Sequence, residues 1–91
     1  MKILTVCGLG MGTSLILSMN VESVLKSEFG ISNYKIEHMD VSSARSVSAD
    51  LIITNSEFIN NLSGCGCPVI EVNDYLNLEE IKTALNKSGL F

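Results

Sequence analysis

Short apolar segments alternate with helical patterns along the 91 residues of the chain, and this alternation limits the possible folds more than any other feature. Residues 50–54, DLIIT, form a continuous apolar run of the kind found in strands that are covered on both faces. Residues 2–6, KILTV, and 69–72, VIEV, are predicted as further strands, and residues 34–38 as a strand with one less buried face. Strands separated by helices in this way form a parallel sheet with right-handed crossovers.

The segments between the strands carry helix signals of different strength. Residues 13–29 are predicted as a helix that Gly30 ends, whereas residues 42–49 are small and hydroxyl-rich and predict a weak, short helix or a turn. Asn55 or Ser56 is predicted to cap a short helix through Leu62. Asn77 begins the strongest helix signature, with acidic residues in the first turn and a glycine beyond the end.

These elements predict one α/β domain over residues 1–91, with a four-stranded parallel sheet of order 2-1-3-4 and helices on both faces. The crevice of such a sheet lies where the strand order reverses, beyond the carboxyl ends of strands 1 and 3. The loop after strand 1 is therefore expected in that crevice.

The charge of the chain excludes several classes of partner. Six basic and ten acidic residues give a net charge of -4, and no basic cluster is present. Nucleic acids and anionic membranes recruit clustered lysine and arginine, so neither is expected as a partner. The chain has no apolar run approaching the ~20 residues of a membrane span, and its three cysteines are an odd number, so we expect a cytoplasmic protein without its own membrane segment.

The loop after strand 1 reads VCGLGMGTS over residues 6–14. Its glycines allow backbone N–H groups to converge on one point, and the following helix adds the partial positive charge of its amino terminus. Such a point suits an anion, and it favours the thiolate form of Cys7. Lys2 is the only basic residue close to this loop in the sequence. The predicted phosphate cradle consists of Gly8, Leu9, Gly10, Met11, Gly12, Thr13 and Ser14.

The residues of this loop also permit other interpretations. The glycines could simply make a tight turn, with Cys7 as a small buried residue. The loop lacks the lysine of the G-x-x-x-x-G-K-[ST] motif and does not match G-x-G-x-x-G, although Asp40 is suitably placed for a ribose. It is close to C-x5-R-[ST] of the low-molecular-weight tyrosine phosphatases, but Thr13 stands in place of the arginine. A loop that accepts phosphate on sulfur without hastening hydrolysis describes a carrier.

The stretch VCGLGMGTSLI followed by a helix resembles the cytoplasmic IIB subunits of the bacterial phosphoenolpyruvate-dependent sugar phosphotransferase system, in particular the ascorbate and galactitol branch. The resemblance covers essentially the whole chain. It implies a phosphotransferase in which Cys7 accepts a phosphoryl group from a phosphohistidine on the IIA component. The cysteine then passes the group to a sugar held by the membrane component IIC. No cofactor or metal is implied.

Several other residues have open roles. Leu9, Met11, Leu15 and Met19 are predicted to form a docking surface for a partner protein, because apolar groups around a reactive centre commonly mark one. Cys65 and Cys67 are expected in a structural turn rather than a metal site, and His38 is expected to be a surface residue rather than a phosphoryl relay. Asp74 is either a general acid or a turn residue. A small phosphatase or reductase, and a non-catalytic anion-binding module, remain alternative functions.

Overall fold

The computed structural model describes residues 1–6, 11–62, 64 and 66–90, and for residues 11–14 it describes the backbone alone. The strands are β1 (Lys2–Val6), β2 (Lys35–Met39), β3 (Leu51–Thr54) and β4 (Val69–Glu71). The helices are α1 (Met11–Ser27), α2 (Val41–Ala44), α3 (Ile59–Leu62) and α4 (Leu78–Lys87). All strand pairs are parallel and the sheet order is β2-β1-β3-β4, so the predicted fold is confirmed.

The register of the sheet places the carboxyl ends of the strands at one edge. Thr5 of β1 lies between His38 of β2 and Ile53 of β3, and Val6 pairs with Met39. Because all four strands run in the same direction, every segment that follows a strand leaves from this edge. We call it the carboxyl edge; the opposite one is the amino edge.

The core has two layers, one on each face of the sheet. Helices α1 and α4 cover one face through a cluster that includes Ile3, Leu17, Ile53 and Leu85. The short helices α2 and α3 cover the other face, where Ala44 and Leu62 pack against Leu4, Val6 and Ile52. All four residues of β3 are buried, as the continuous apolar run predicts for a strand that is covered on both faces.

Helix α1 begins two residues earlier than the pattern predicts. It spans Met11–Ser27 instead of 13–29, so residues 11–14 belong to its first turn and not to a loop. Its apolar face is buried as expected: Leu17, Val21, Val24 and Leu25. Beyond the helix, Gly30 adopts a φ of +63°, and the N–H of Ile31 donates to the Leu25 carbonyl at 3.0 Å. The prediction that Gly30 ends this helix is confirmed.

Of the caps predicted for α3 and α4, one is present in the structure and the other is not. The Asn77 side chain accepts from the Glu80 N–H at 3.1 Å and caps α4, as predicted. The prediction that Asn55 or Ser56 caps α3 is wrong, because α3 begins only at Ile59. The Asn55 side chain instead accepts from the Glu57 N–H at 2.9 Å, which closes a turn two residues long.

Candidate functional site

The segment between β1 and α1 carries the predicted nucleophile. Cys7, Gly8, Leu9 and Gly10 lie outside the described residues, as do the side chains of Met11, Thr13 and Ser14. What the structure provides is the frame on both sides of that segment. Val6 ends β1 at the carboxyl edge, and α1 begins at Met11 only five residues later. The first N–H groups of a helix have no partner within the helix, so the start of α1 offers backbone donors next to the predicted cradle.

A buried side chain holds the end of β1. The hydroxyl of Thr54 donates to the Val6 carbonyl at 3.1 Å, and both residues are inaccessible to solvent. Val6 directly precedes Cys7 in the chain. Thr54, on the neighbouring strand, therefore restrains the backbone of the residue that precedes Cys7 in the chain.

Asn20, Asn55 and Tyr75 connect three elements at the carboxyl edge. Asn20 of α1 donates from Nδ2 to the Tyr75 carbonyl at 2.6 Å, and Asn55, after β3, donates from Nδ2 to the Tyr75 hydroxyl at 3.0 Å. The Tyr75 ring packs against the core cluster of α1 and α4. Sequence analysis missed this network, because its members are up to 55 positions apart; the available signal was the placement of Asn55 and Tyr75 just after strands.

Asp74 serves the turn between β4 and α4. Its Oδ1 accepts from the Leu76 N–H at 3.1 Å, and its own N–H donates to Glu80 Oε1 at 3.2 Å. The same Glu80 carboxylate accepts from the Asn73 N–H at 2.6 Å. Of the two roles left open for Asp74, the contacts support the turn residue.

Asp40 has a structural partner as well. It follows β2 and caps α2, where its carboxylate accepts from the Ser43 N–H at 2.8 Å. Hydrogen bonding to Ser43 lowers the pKa of the Asp40 carboxyl. The carboxylate therefore stays ionised down to a lower pH than an unbonded one, and it faces the cap of α2 instead of an open ribose site.

Four of the six basic residues are paired with carboxylates in the structure. Lys2 begins β1 at the amino edge, four residues or about 13 Å of strand before Val6. Its Nζ pairs with Glu37 at 3.5 Å, so the expectation that Lys2 is near the loop is wrong. Three other lysines also form ion pairs: Lys26 with Glu22, Lys35 with Glu37, and Lys82 with Glu28. These four lysines are therefore all paired with carboxylates.

His38 is more buried than its description as a surface residue implied. It sits next to the last residue of β2 and is the neighbour of Thr5 across the ladder. Its side chain is half-buried, and Nδ1 is fully buried without a hydrogen bond to any residue that the structure describes. The expectation of a solvated histidine is corrected accordingly.

The Cys65–Cys67 turn is described in part. Gly64 and Gly66 have φ values of +92° and +84°, as a tight turn requires, and Cys67 is half-buried; Cys65 lies outside the described residues. Within the described ranges, no three histidine, cysteine or acidic side chains are close enough to hold a metal ion. None of the helices in that part of the chain is long and apolar enough to cross a bilayer.

Large apolar side chains are exposed beside the start of α1. Leu15, Ile16 and Met19 are 44%, 43% and 60% exposed, and Leu76 is 75% exposed. Leu76 follows Tyr75, whose carbonyl accepts from Asn20, the residue after Met19 on α1. We call these four residues the α1 apolar surface. Leu15 and Met19 were predicted as docking residues; the side chains of Leu9 and Met11 lie outside the described residues.

Comparison with known proteins gives concordant matches. Residues 2–87 match the family model described as "PTS system, Lactose/Cellobiose specific IIB subunit". The chain is 33% identical over 93 aligned positions to the "Ascorbate-specific PTS system EIIB component" of Mycoplasma pneumoniae, covering 96% of this chain and 93% of that protein. The structure matches a lactose-specific IIB component domain from Streptococcus pneumoniae with a TM-score of 0.64 and 17% identity, over 96% of this chain and 92% of the other, which supports the fold.

Proposed function

The chain belongs to the lactose/cellobiose-specific IIB subunit family of the sugar phosphotransferase system, and from this membership we propose that Cys7 carries a phosphoryl group between two protein partners. The donor is a phosphohistidine on the IIA component, and the acceptor is a sugar bound by the membrane component IIC. Transfer takes place in the cytoplasm. The family match over residues 2–87, which includes Cys7, is the observation that carries this proposal.

The chemistry consists of two phosphoryl transfers. The Cys7 thiolate attacks the phosphorus of phosphohistidine, so that an S–P bond forms, the N–P bond breaks and the imidazole leaves. A sugar hydroxyl then attacks the same phosphorus, the S–P bond breaks, and the hydroxyl proton passes to a base or to water. The thiolate is regenerated, and neither step is a redox reaction.

The described frame suits an anion on Cys7. Backbone N–H groups at the start of α1 and the hydroxyls of Thr13 and Ser14 are the donors that we assign to the phosphoryl oxygens, together with Gly8, Leu9, Gly10, Met11 and Gly12 of the cradle. A hydrogen bond to a charged group contributes about 1.5–3 kcal/mol, so several converging donors can hold a phosphoryl group without lysine or arginine. The same field favours the thiolate of Cys7.

Ascorbate is the first sugar substrate to test. The relative that is 33% identical is described as ascorbate-specific, whereas the family model is described as lactose- and cellobiose-specific. The choice of sugar belongs to the IIC component in this proposal, so the IIB chain is compatible with either.

The α1 apolar surface is the docking site that we assign to the protein partners. It lies beside the start of α1, and its four side chains are exposed in a chain whose other large apolar residues are mostly buried within the described residues. An apolar patch around a charged centre excludes water from the transfer step and provides contact area.

Phosphoryl transfer to Cys7 is tested with purified components. Phosphoenolpyruvate, the general phosphotransfer proteins and a cognate IIA are mixed with the chain, and we expect intact mass and peptide mapping to show one phosphoryl group on Cys7. Cys7→Ser should abolish the label and keep the fold. Cys67→Ser is the matched control and should be labelled like the wild type. A label on Cys67 or His38, or one that survives in Cys7→Ser, would contradict the proposal.

The missing arginine separates a carrier from a phosphatase. Thr13 stands where the related phosphatases have the arginine that stabilises phosphoryl transfer to water. The isolated phosphoprotein is therefore expected to lose its phosphate slowly and to cleave aryl phosphates poorly. Rapid loss to water with steady turnover of an aryl phosphate would favour the hydrolase.

A further inference from the structure

The free side of β4 borders an open groove. In the order β2-β1-β3-β4 this strand is the last, so one of its sides has no neighbouring strand among the described residues. A groove of about 760 Å³ runs along that side, between β4 and α4, and we call it the β4–α4 groove. Thr83, Ala84 and Lys87 form its wall on the helix. They lie on the side of α4 away from α1, because Lys82, on the opposite side of the helix, pairs with Glu28 just beyond α1 at 3.6 Å.

Alternate residues of β4 direct their backbone groups into this groove. The Val72 N–H donates to the Thr54 carbonyl at 2.8 Å, so the even-numbered residues of this segment face β3. The N–H and carbonyl groups of Val69 and Glu71 therefore point to the open side. The described part of the chain supplies these groups with no hydrogen-bond partner. An unpaired strand edge of this kind is a template for one further strand.

The side of α4 that lines the groove has opposite charges at its two ends. Glu80 lies near the start of α4 and Lys87 is its last residue, whereas Thr83 and Ala84 lie midway between them. Glu79 adds a second, exposed carboxylate at the acidic end. None of the ion pairs among the described residues includes Lys87. In an antiparallel helix pair whose two-fold axis passes between Thr83 and Ala84, each Glu80 lies opposite a Lys87, so the groove is complementary in charge to itself.

The same two-fold axis pairs two β4 strands in a regular register. With Ile70 at the centre, Val69 of one copy lies opposite Glu71 of the other, and each such pair exchanges two hydrogen bonds in an antiparallel ladder. All the outward backbone groups of Val69 and Glu71 are then satisfied in both copies. The Ile70 side chain packs in the α4 layer, so it meets its own copy at the axis. Ile70 and Ala84 line the same groove, and one axis therefore serves the strands and the helices.

We propose that the β4–α4 groove binds a second copy of this chain, which joins the two sheets through an antiparallel β4 pair and packs the two α4 helices together. The occupant is a copy of the chain because the charge pattern of the groove is complementary to itself. A strand of three residues and one helix form an interface at the low end of the specific range, so the dimer is weak. The inference does not depend on phosphorylation of Cys7.

Analytical ultracentrifugation of the full, unphosphorylated chain tests the association. We expect the average mass to rise from that of a monomer toward that of a dimer between about 20 µM and 2 mM protein, the range that a weak interface requires. A chain that is still monomeric at the upper concentration overturns the inference. If Val69 and Glu71 become protected from amide exchange only when IIA is added, the groove belongs to IIA and the inference is also overturned.

Amide exchange measured by NMR locates the interface without any variant. Exchange at Val69 and Glu71 should slow as the protein concentration rises through the same range. The free edge of β2 is the internal control: the Lys35 N–H donates to the Met1 carbonyl, so the next N–H, of Ile36, faces away from β1. Exchange at Ile36 should not change. A dimer in which Ile36 slows as much as Val69 and Glu71 contradicts pairing through β4.

Charge reversal tests whether the helices pair as proposed. Lys87→Glu places like charges opposite each other twice and should weaken the dimer about tenfold, and Glu79→Lys should act in the same direction. A mixture of the two variants should associate like the wild type, because each acidic end then meets a lysine. Lys26→Glu makes the same change of charge on α1 and should dimerise like the wild type. A mixture that stays as weak as the single variants contradicts the helix pairing.

The strand pairing is tested by removal of one backbone donor. Glu71→Pro deletes an N–H that faces the groove, a position in which an edge strand tolerates proline. We expect it to weaken the dimer about tenfold, because two interface hydrogen bonds are lost. Glu71→Gln keeps the N–H and should remain within about threefold of the wild type. Equal dissociation constants for the two variants, both shown to be folded by circular dichroism, contradict an antiparallel β4 pair.

Discussion

Individual polar side chains, and not the apolar core, determine how the segments at the carboxyl edge are held. Thr54 bonds the end of β1, Asp74 closes the turn after β4, and Asp40 caps α2. Each of these residues is bonded to backbone, which is the commonest partner of polar side chains in proteins. Residues which resemble candidate acids in the sequence therefore have structural roles, and Cys7 is the residue that we propose for the chemistry.

Thr54→Val tests the restraint on β1. The substitution keeps the shape of the side chain but removes the hydroxyl that donates to the Val6 carbonyl in the core. We expect a loss of about 1 kcal/mol in the free energy of unfolding, measured by urea denaturation, and slower phosphorylation of Cys7. Thr54→Ser should retain more of the transfer rate, because it keeps the hydroxyl.

The matched control for that prediction is Thr83→Val. Thr83 is exposed on α4, so the same change of atoms should alter the free energy of unfolding by a few tenths of a kcal/mol at most. If Thr54→Val is as stable as Thr83→Val and accepts phosphate at the wild-type rate, the hydroxyl of Thr54 does not restrain β1.

Among the helices and strands, the sequence predicted those features that depend on residues close together in the chain. The apolar run of β3, the buried face of α1 and the Asn77 cap of α4 each follow from neighbouring residues, and all three were predicted. The start of α3 was not predicted, because Asn55 can either cap a helix or close a turn. Its bond to Tyr75 favours the turn. The half-burial of His38 also depends on α1, which is distant in sequence.

The candidate site was predictable to a similar extent. The sequence places Cys7 between an apolar strand and a glycine-rich segment, and its role as the phosphate carrier stays a prediction. The separation of Lys2 from Val6 already follows from the strand predicted at residues 2–6, because four residues of strand extend over about 13 Å. The network of Asn20, Asn55 and Tyr75 requires the tertiary fold, and its signal in the sequence is limited to the placement of Asn55 and Tyr75 after strands.

Asn77→Ala tests how much the cap contributes to α4. The Asn77 side chain accepts from the Glu80 N–H at 3.1 Å, and loss of an N-cap typically costs about 1 kcal/mol. We expect a decrease of that size in the free energy of unfolding by urea denaturation. Asn77→Asp should be neutral, because aspartate caps equally well and favours the helix dipole. Asn86→Ala, in the last turn of the same helix, is the control; an equal loss there would contradict a capping role.

In the whole molecule, exposed apolar residues occur at two opposite ends of the sheet, one near the start of α1 and one after the end of α4. Helix α1 begins at the carboxyl edge, where the α1 apolar surface lies, and α4 begins at the same edge with its Asn77 cap and ends toward the amino edge. Leu90 follows the end of α4 and is 38% exposed. The chain therefore offers exposed apolar residues at both ends of the sheet, and the first set lies on α1 and the segment before α4.

Substitution of Met19 distinguishes these two surfaces as docking sites. Met19 is 60% exposed on the α1 apolar surface, so a lysine there should fold normally and place a charge where an apolar partner is expected. We expect Met19→Lys to raise the KM for phosphorylated IIA about tenfold, the equivalent of one interface residue worth about 1.4 kcal/mol, with little change in the free energy of unfolding.

Met19→Gln separates the effect of the charge from the loss of apolar contact and should give an intermediate KM. Leu90→Lys makes a similar change at the amino edge and should leave the KM unchanged. If Met19→Lys and Leu90→Lys have the same KM, IIA does not dock on the α1 apolar surface, even where Cys7 is phosphorylated normally.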